Sequence, residues 1–360
     1  MTVYCGSLVR RLPPSVAVHT TLSWRTLRIP YRLLGTRLAC ALHDQIVARK
    51  LKQMAGRFDI VHVWPLAAAR TIKAACQLGM ISVLERPNAH TRFAYEVVQQ
   101  ECRKLGISMP PGHEHEFNAK LLHHEELEYE LADYLLCPSE FVARTFLDRG
   151  FAPRKLARHQ YGFDDKVYFA AAPPRAVNPG LTMIFVGGCA PRKGLHYALD
   201  AWLHSSASKT GSFLIAGAFI PGYADLLSRQ LSHPSVKVLG HRTDIADLMR
   251  QSDVLTLPSI EEGSALVTSE ARGCGCVLLV SDAAGAICRD GKDGFIHAAR
   301  DVDMLRQHID SLDQQPELLA QMRKSSLSTI NEITWTAAGL RLAKIYQAVT
   351  EERRPEPAAI

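Results

Sequence analysis

Residues 257–282, with the sequence LPSIEEGSALVTSEARGCGCVLLVSD, decide the fold class of this chain. The apolar run 254–257 at their start and the run 277–280 near their end predict two buried strands, because neither run alternates with polar residues. Between them, Ser264 is a candidate N-cap for a helix over residues 265–273. Strand, turn, helix and strand in this order predict the βαβ unit of a parallel sheet.

Two glutamates lie at informative places in this unit. Glu262 is in the turn, and Glu270 is about five residues into the helix, roughly 7–8 Å along its axis at about 1.5 Å per residue. The helix N-terminus lies at the carboxyl edge of the sheet, where its N–H groups and dipole favour a phosphate. Each carboxylate can accept hydrogen bonds from two neighbouring hydroxyls of a polyol. A solvated turn and an ordinary helix surface are the alternative.

The segment 262–271, EGSALVTSEA, with Pro258 and Ser259 before it, resembles the E-x(7)-E signature of retaining GT-B glycosyltransferases of family 4. The resemblance implies an α/β fold of two Rossmann-like domains that face each other across a cleft. It also implies that Glu262 contacts the donor sugar and that Glu270 holds the nucleotide ribose. The start of the helix would bind the donor through Gly263, Ser264, Ala265 and Leu266.

Residues 182–202, TMIFVGGCAPRKGLHYALDAW, predict a strand, a loop with basic residues and an amphipathic helix. The spacing is not the G-x(4)-G-K-[ST] of a P-loop. The segment is similar to the loop of the same family in which basic residues bind the donor diphosphate, which implies that role for Lys193 and, as a second charge, Arg192. A charged turn is the alternative. In many family members an Arg follows the first glycine, whereas Gly188 has that place here.

Three further groups of residues are candidates for donor contacts by the same resemblance. Gly187 and Gly188 would line the donor loop, and the family places its nucleobase pocket at the positions of Gly240, His241 and Arg242. A family histidine after the strand 81–85 contacts the donor sugar, and His90 lies slightly beyond that place, behind Pro87 and Asn88. His90 is therefore a candidate catalytic contact, and a loop histidine without a ligand is the alternative.

Residues 112–134, GHEHEFNAKLLHHEELEYELADY, suggest a metal site by composition, because His113, His115, His123 and His124 have glutamate neighbours. The spacing is not that of a zincin. Apolar residues at helical spacing instead predict a solvated helix with one apolar stripe, formed by Leu121, Leu122, Leu127, Leu131 and Tyr134. No metal or other cofactor is expected, because basic residues can neutralise a diphosphate and no D-x-D motif follows an appropriate strand.

Length and composition limit the class of protein. The chain has 360 residues, which fits two domains, with 47% hydrophobic and 22% charged residues, as in soluble globular proteins. It contains no apolar run of 18 residues and no signal-peptide pattern, so a secreted or membrane-spanning protein is not expected. The nine scattered cysteines predict reduced, mostly buried thiols in a cytosol.

The net charge of +6 is concentrated near the N-terminus, since residues 1–60 carry ten Lys or Arg against Asp44 and Asp59. Residues 1–60 therefore have a net charge of +8, and the other 300 residues have a net charge of −2. A basic face on the first domain could meet anionic lipid head groups at the cytoplasmic membrane face, or an anionic acceptor. A solvated helix surface is the alternative, and nucleic acid is not expected because no recognition motif accompanies the charge.

The expected domains are an acceptor-side domain over 1–172, a proline-rich linker over 173–180 and a donor-binding domain over 181–334. A helix over 335–350 is expected to pack back towards the first domain, and 351–360 to form a flexible tail. Residues 1–6 predict a strand that corresponds to the second strand of the family. In the family, a first strand and its glycine loop precede this strand. We therefore expect that the assigned reading frame starts too late, and a protein that has lost these elements is the alternative.

The resemblance implies a retaining glycosyltransferase that moves a sugar from a nucleotide-diphosphate sugar to a carbohydrate or lipid-linked acceptor. Polysaccharide, lipopolysaccharide or glycolipid assembly would be its setting. Two alternatives are a non-catalytic nucleotide-sugar-binding remnant and a GT-B nucleotide-sugar epimerase. The former would bind donor without consuming it, and the latter would release an isomer without any acceptor.

Overall fold

A computed structural model describes residues 1–8, 12–24, 27–28, 34–170 and 180–352. Within these residues the protein is an α/β structure with one parallel sheet in each half of the chain. The predicted linker 173–180 lies outside the described residues except for Gly180, and so do residues 353–360 of the predicted tail. Five of the nine cysteines are buried.

The first half contains eight strands and five helices within the described residues. The strands are β1 (Thr2–Cys5), β2 (Ala17–Thr20), β3 (Ser23–Trp24), β4 (Leu27–Arg28), β5 (Ile60–Val63), β6 (Ile81–Glu85), β7 (Tyr134–Cys137) and β8 (Leu156–Arg158). The helices are α1 (Thr36–Gln53), α2 (Ala69–Gln77), α3 (Thr91–Leu105), α4 (Ala119–Leu131) and α5 (Glu140–Leu147). Strands β5, β6, β7 and β8 form a parallel sheet in this order.

Strands β1 and β2 form a separate two-stranded parallel sheet. Among the described residues, β1 pairs with β2 alone and β5 with β6 alone. A cavity of about 980 Å³ lies between β1 and β5 and is lined by every residue of both strands. The contact between the two sheets is made by side chains, with Tyr4 packed against a cluster that includes Val47, Leu51 and Met80.

The second half contains six strands and eight helices within the described residues. The strands are β9 (Thr182–Val186), β10 (Ser212–Ala216), β11 (Val236–Gly240), β12 (Val254–Leu257), β13 (Val277–Ser281) and β14 (Gly294–His297). The helices are α6 (Leu195–Leu203), α7 (Tyr223–Leu226), α8 (Ser228–Leu231), α9 (Ile245–Arg250), α10 (Leu266–Gly273), α11 (Val302–Gln314), α12 (Pro316–Ser328) and α13 (Trp335–Glu352).

The six strands form one parallel sheet in the order β11-β10-β9-β12-β13-β14. This is the order of a doubly wound Rossmann sheet, in which the direction of winding reverses between the first and fourth strands. The central strands are buried along their whole length, as their unbroken apolar sequences predict. Trp202, Phe185 and Phe213 are fully buried in the core of this domain, and the burial of each such side chain contributes about 1.5–3 kcal/mol.

The last helix, α13, connects the two halves. Its first residue, Trp335, donates a backbone hydrogen bond to the carbonyl of Phe163 over 3.3 Å. Further along, Val349 belongs to a buried cluster with Ile81, Val83 and Leu136 of the first sheet. The helix therefore runs from the end of the second domain back across the first sheet. No helix among the described residues is long and apolar enough to span a lipid bilayer.

Two predictions about local structure are wrong in detail. Helix α10 begins at Leu266 with Ala265 at its N-cap, one residue later than expected, so Ser264 lies outside the helix. The stretch 112–134 is not one solvated helix, because residues 112–118 form a loop and Asn118 caps α4 through hydrogen bonds from Lys120 and Leu121. The buried positions of α4 are Leu122, Glu125, Glu128 and Tyr129, while Leu127 is exposed.

Candidate functional site

A cavity of about 570 Å³ lies between the two halves of the chain, at the carboxyl ends of β9 and β12. These two strands flank the point where the winding of the second sheet reverses, which is where ligands bind in such sheets. The second half contributes residues from the loop after β9, the turn after β12 and helix α10. The first half contributes Trp64, Pro87, Asn88 and Tyr161, and α13 contributes Trp335.

Two basic residues contact the carboxylate of Glu262, which lines this cavity together with Lys193. Lys193 Nζ contacts Oε2 of Glu262, and Nη1 of Arg192 lies 3.1 Å from Oε1 of the same carboxylate. A one-turn 3₁₀ helix, Pro191–Lys193, holds both basic residues at the start of α6. Gly194 follows with φ of 68°, a backbone conformation that favours glycine. A Cβ at this position would lie 2.0 Å from the carbonyl oxygen of Pro258. Glycine therefore permits the loop that carries Arg192 and Lys193 to contact the turn after β12.

The charges in the cavity determine the ionisation of Glu262. Burial alone would raise the pKa of this carboxyl, but the nearby Lys193 and Arg192 outweigh that effect and hold the pKa at about 2. Burial likewise disfavours the charge of Arg192, and the carboxylates of Glu262 and Glu261 overcome it and raise the pKa of the guanidinium. The site therefore keeps the Glu262 carboxylate and the Arg192 guanidinium charged at neutral pH.

Glu270 lies on the other side of the cavity, within α10. Burial raises the pKa of this carboxyl, and a hydrogen bond with Tyr168 partly offsets the rise. Tyr168 also lines the cavity, so the two residues form a polar part of its wall. The structure thus brings Glu262 and Glu270 to one cavity.

Gly263 has a structural reason to be glycine. A Cβ at this position would lie 1.5 Å from the carbonyl oxygen of Pro87 in the first half of the chain. The carbonyl oxygen of Gly263 accepts a hydrogen bond from Oγ of Ser139 over 2.6 Å. Gly263 is therefore a point of close backbone contact between the two halves, directly beside Glu262.

The other predicted site residues fall into two groups. Five of them line the same cavity as Glu262: Gly187, Gly188, Ser264, Ala265 and Leu266. The predicted nucleobase residues lie at the end of the outermost strand β11, where Gly240 has φ of 66° and His241 is exposed. There the guanidinium of Arg242 forms a two-point ion pair with Asp244, with donor–acceptor distances of 2.6 and 2.8 Å.

The structure does not bring His90 into the cavity. His90 is buried at the N-cap of α3, where its Nδ1 accepts a hydrogen bond from the backbone N–H of Arg92. Its ring packs against Tyr129 and Phe146, with centroids 5.1 and 5.0 Å away. Burial, together with neighbouring arginines, lowers the pKa of His90 to about 3, so the imidazole is neutral. A structural role in the first domain accounts for all of these contacts.

Sequence patterns missed Glu261, which lies next to Glu262. Its side chain is fully buried, with Oε2 at 3.3 Å from Nε2 of His115 and at 3.4 Å from Nη1 of Arg192. Its Oε1 accepts a hydrogen bond from the backbone N–H of Ala89 over 3.3 Å. Glu261 thus joins the basic loop to the first domain through partners more than 60 residues away, which local sequence patterns do not reveal.

A second buried carboxylate, Glu85, lies at the carboxyl end of β6 close to the cavity wall. It accepts hydrogen bonds from Tyr161 over 2.7 Å and His159 over 2.8 Å, and Nε2 of His62 lies 3.2 Å away. Burial alone would raise the pKa of Glu85, but these donors hold it at about 2. The only sequence signal was its position at the end of a predicted strand.

Part of the second half of the chain matches a known family model. Residues 180–315 match the family model "Glycosyl transferases group 1". An N-acetylgalactosaminyltransferase of Campylobacter jejuni that acts on N,N'-diacetylbacillosaminyl-diphospho-undecaprenol is 27% identical over 121 residues, which are 33% of this chain and 32% of that protein. The D-inositol 3-phosphate glycosyltransferase of Streptomyces scabiei is 27% identical over 112 residues, with 31% of this chain and 25% of that protein covered.

The chain therefore spans about a third or less of the first curated relatives it matches. A longer similarity exists to the D-inositol 3-phosphate glycosyltransferase of Thermobispora bispora, which is 22% identical over 97% of this chain and 85% of that protein. Its length indicates that both halves of the chain resemble such an enzyme.

Solved structures show the fold of the described part of the chain. The Anabaena protein HepE in complex with UDP superimposes with a TM-score of 0.66, at 17% identity, over 92% of this chain and 86% of that one. The lipopolysaccharide outer core galactosyltransferase WaaB gives a TM-score of 0.67, at 14% identity, over 93% and 85%. The chain has the GT-B fold of two Rossmann-like domains, as predicted, and its residues 180–315 are similar to group 1 glycosyl transferases.

Proposed function

We propose that the protein is a retaining glycosyltransferase of family 4, which moves a sugar from a nucleotide-diphosphate sugar to a carbohydrate or lipid-linked acceptor. The observation that carries the proposal is the pair of Lys193 and Glu262 in the cavity between the domains, near the start of α10, with Arg192 in contact with the same Glu262 carboxylate. Two cations and a helix N-terminus neutralise a diphosphate, and a charged carboxylate beside them accepts hydrogen bonds from sugar hydroxyls.

The roles follow from the positions of the side chains. Arg192 and Lys193 bind the diphosphate and stabilise the charge that grows on it as the bond to the sugar breaks. Glu262 orients the sugar, and Glu270, one turn further along α10, accepts hydrogen bonds from the ribose. The two cations perform the neutralisation without a metal ion. Gly240, His241 and Arg242, at the end of β11, are proposed to border the nucleobase.

In the proposed front-face reaction, the bond from the anomeric carbon to the phosphate oxygen breaks while the acceptor oxygen bonds to the same face of that carbon. The acceptor proton passes to the leaving phosphate, so no protein nucleophile is required. The first-domain side of the cavity suits a carbohydrate, because Trp64, Tyr161 and Trp335 present aromatic rings there. Trp64 and Trp335 are 57% and 51% exposed, so their faces are accessible to a sugar ring.

Names of similar proteins support a setting in lipid-linked saccharide or polysaccharide synthesis, since one acts on a diphospho-undecaprenol substrate and another in the lipopolysaccharide core. The exposed residues of α1 and the following turn add a basic surface, formed by Arg37, Arg49, Lys50, Lys52 and Arg57. We propose that this surface meets anionic head groups at the cytoplasmic face of a membrane. Arg10, Arg11, Arg25 and Arg32 of the predicted basic region lie outside the described residues.

The first experiment is a thermal-shift screen against UDP, GDP, ADP and their sugar conjugates. A ligand at a hundredfold excess over its Kd stabilises the native state by about 2.7 kcal/mol, which moves a melting curve by several degrees. A shift with one nucleotide class, lost in Lys193→Ala and kept in Lys209→Ala, is expected. Lys209 is a suitable control because it is exposed at the end of a 3₁₀ helix in the same domain.

Turnover then separates the proposed transfer from the alternatives. The expected result is that the bound conjugate is consumed only with an acceptor and that the product keeps the anomeric configuration of the donor, as measured by proton NMR. An isomer formed without acceptor would identify an epimerase. Binding without consumption over a broad acceptor panel would identify a nucleotide-sugar-binding protein, and an inverted product would exclude the retaining route.

A further inference from the structure

His115 lies on the loop between α3 and α4, in the first domain, and its environment is unusual for a loop histidine. Its side chain is 5% exposed, and its Nε2 lies 3.3 Å from Oε2 of Glu261 in the second domain. Glu261 is fully buried. The pair therefore crosses the cleft between the domains, immediately next to the Arg192, Lys193 and Glu262 cluster.

The carboxylate of Glu261 is shared between the two domains. The Oε2 atom that faces His115 also lies 3.4 Å from Nη1 of Arg192, and the backbone carbonyl of Glu261 accepts from the same Nη1 over 3.1 Å. The imidazole and the guanidinium thus compete for one negative charge. If His115 carries a positive charge, Glu261 holds Arg192 less strongly, and the guanidinium is better able to turn to another anion.

The groups that face His115 determine its charge. On its own loop these are His113, with ring centroids 5.7 Å apart, and Glu114, whose Oε1 lies 3.4 Å from Nδ1. From the second domain they are Glu261 and Arg192. Burial alone would lower the pKa of His115, and Arg192 acts in the same direction, but the carboxylates of Glu114 and Glu261 outweigh both and raise the pKa above its usual value of 6.5.

With His115 protonated, the local cluster has three positive side chains, His115, Arg192 and Lys193, and three negative ones, Glu114, Glu261 and Glu262. Loss of the proton leaves an excess negative charge beside the place proposed for a diphosphate. Such an excess disfavours a second anion, and the penalty is large because most of these groups are withdrawn from water.

We infer that His115 is a positioning residue for the donor diphosphate: its positive charge occupies Glu261 from across the cleft and so makes Arg192 available to the diphosphate. The inference rests on the proposed function of the cavity as a donor site. His115 then contributes from the first domain to the binding of a donor whose other proposed contacts come from the second domain. Because His115 must be protonated for this role, the affinity for the donor depends on pH.

The test is isothermal titration of UDP-glucose, GDP-mannose and ADP-glucose into the full chain at several pH values between 6 and 8.5. The diphosphate diester of these conjugates keeps a constant charge over this range, so a pH dependence reports on the protein. The wild type is expected to lose affinity as the pH rises through the raised pKa of His115. His115→Gln, which keeps a hydrogen-bonding side chain without the charge, is expected to bind about tenfold more weakly at pH 6 and to show no such pH dependence.

Two further variants make the result specific. His123→Gln is the matched control, since His123 is an exposed residue on the neighbouring helix α4, and it is expected to behave as the wild type. Glu261→Gln removes the charge for which His115 and Arg192 compete, so it is expected to keep high affinity at both ends of the pH range. In that background, His115→Gln is expected to have little further effect. Glu261→Gln also provides a test if His115→Gln does not fold.

The possible results separate the inference from the function on which it rests. If none of the three conjugates binds the wild type, the donor site and the role of His115 both fail. If one binds, but His115→Gln retains wild-type affinity and pH dependence, the donor site stands and the inference is overturned. An equal loss at every pH, with the wild-type slope retained, would show that His115 only supports the loop and would also overturn it.

Discussion

Gly263→Ala tests whether the contact between the two domains sets the geometry of the site. A methyl group at this position would lie 1.5 Å from the carbonyl oxygen of Pro87, where ordinary van der Waals contact begins at 3.4 Å. The backbones must therefore separate locally by about 2 Å. The hydrogen bond from Ser139 to the carbonyl of Gly263 lies within this contact and is expected to lengthen or break.

The expected effect is larger on transfer than on folding. A displacement of about 1 Å at reacting groups can reduce a rate about a hundredfold, so kcat/KM for sugar transfer should fall by about that factor or more. Gly339→Ala is the control, because a methyl at Gly339 in α13 points into open space and Ala favours a helix by up to about 1 kcal/mol. Wild-type kcat/KM and melting temperature in Gly263→Ala would refute the argument that this contact positions Glu262.

Three other predictions follow from the charges in the cavity. The folded-state pKa of Glu262 is lowered from 4.5 to about 2, so this carboxylate stabilises the folded protein by about 3 kcal/mol above pH 4.5, and this contribution is lost as the pH falls to 2. The free energy of unfolding of Glu262→Gln should therefore decrease less steeply than that of the wild type as the pH falls through this range. Glu262→Ala should reduce donor turnover by orders of magnitude while the fold survives, which circular dichroism and a turnover assay can check together. Glu270→Gln should weaken binding of a nucleoside diphosphate yet leave inorganic pyrophosphate binding unchanged in titration calorimetry, and equal losses for both ligands would contradict a contact with the ribose.

The sequence predicted the parts of the fold that depend on local pattern. The unbroken apolar runs at 254–257 and 277–280 became neighbouring strands β12 and β13, and the turn between them brought Glu262 and Glu270 to one cavity. The start of α10 was one residue off, because serine favours an N-cap statistically while Ala265 takes that place in the structure. Boundaries of this kind depend on packing as well as propensity.

Local pattern failed where a residue's partner is distant in sequence. The histidines and glutamates of 112–134 suggested a solvated surface, yet His115 is buried because Glu261, 146 positions later, pairs with it. Glu128 is buried for a similar reason, since its carboxylate accepts hydrogen bonds from the backbone N–H groups of Leu66 and Ala68. The charges alone predicted solvent exposure, and only the tertiary structure supplies the groups that compensate them.

The large cavity between β1 and β5 has a consequence for how the first domain unfolds. A pair of parallel strands is marginally stable without neighbours, and here side-chain packing rather than a hydrogen-bonded ladder joins β1 and β2 to the main sheet in the described part of the chain. We expect these two strands to open as a separate cooperative unit, at a lower free energy than the rest of the domain. Such opening would expose the apolar residues around Val47 and Leu51 together with a strand edge, which is the combination that promotes aggregation. We therefore expect the solubility of this protein to depend on the free energy of this local opening and not on the free energy of global unfolding.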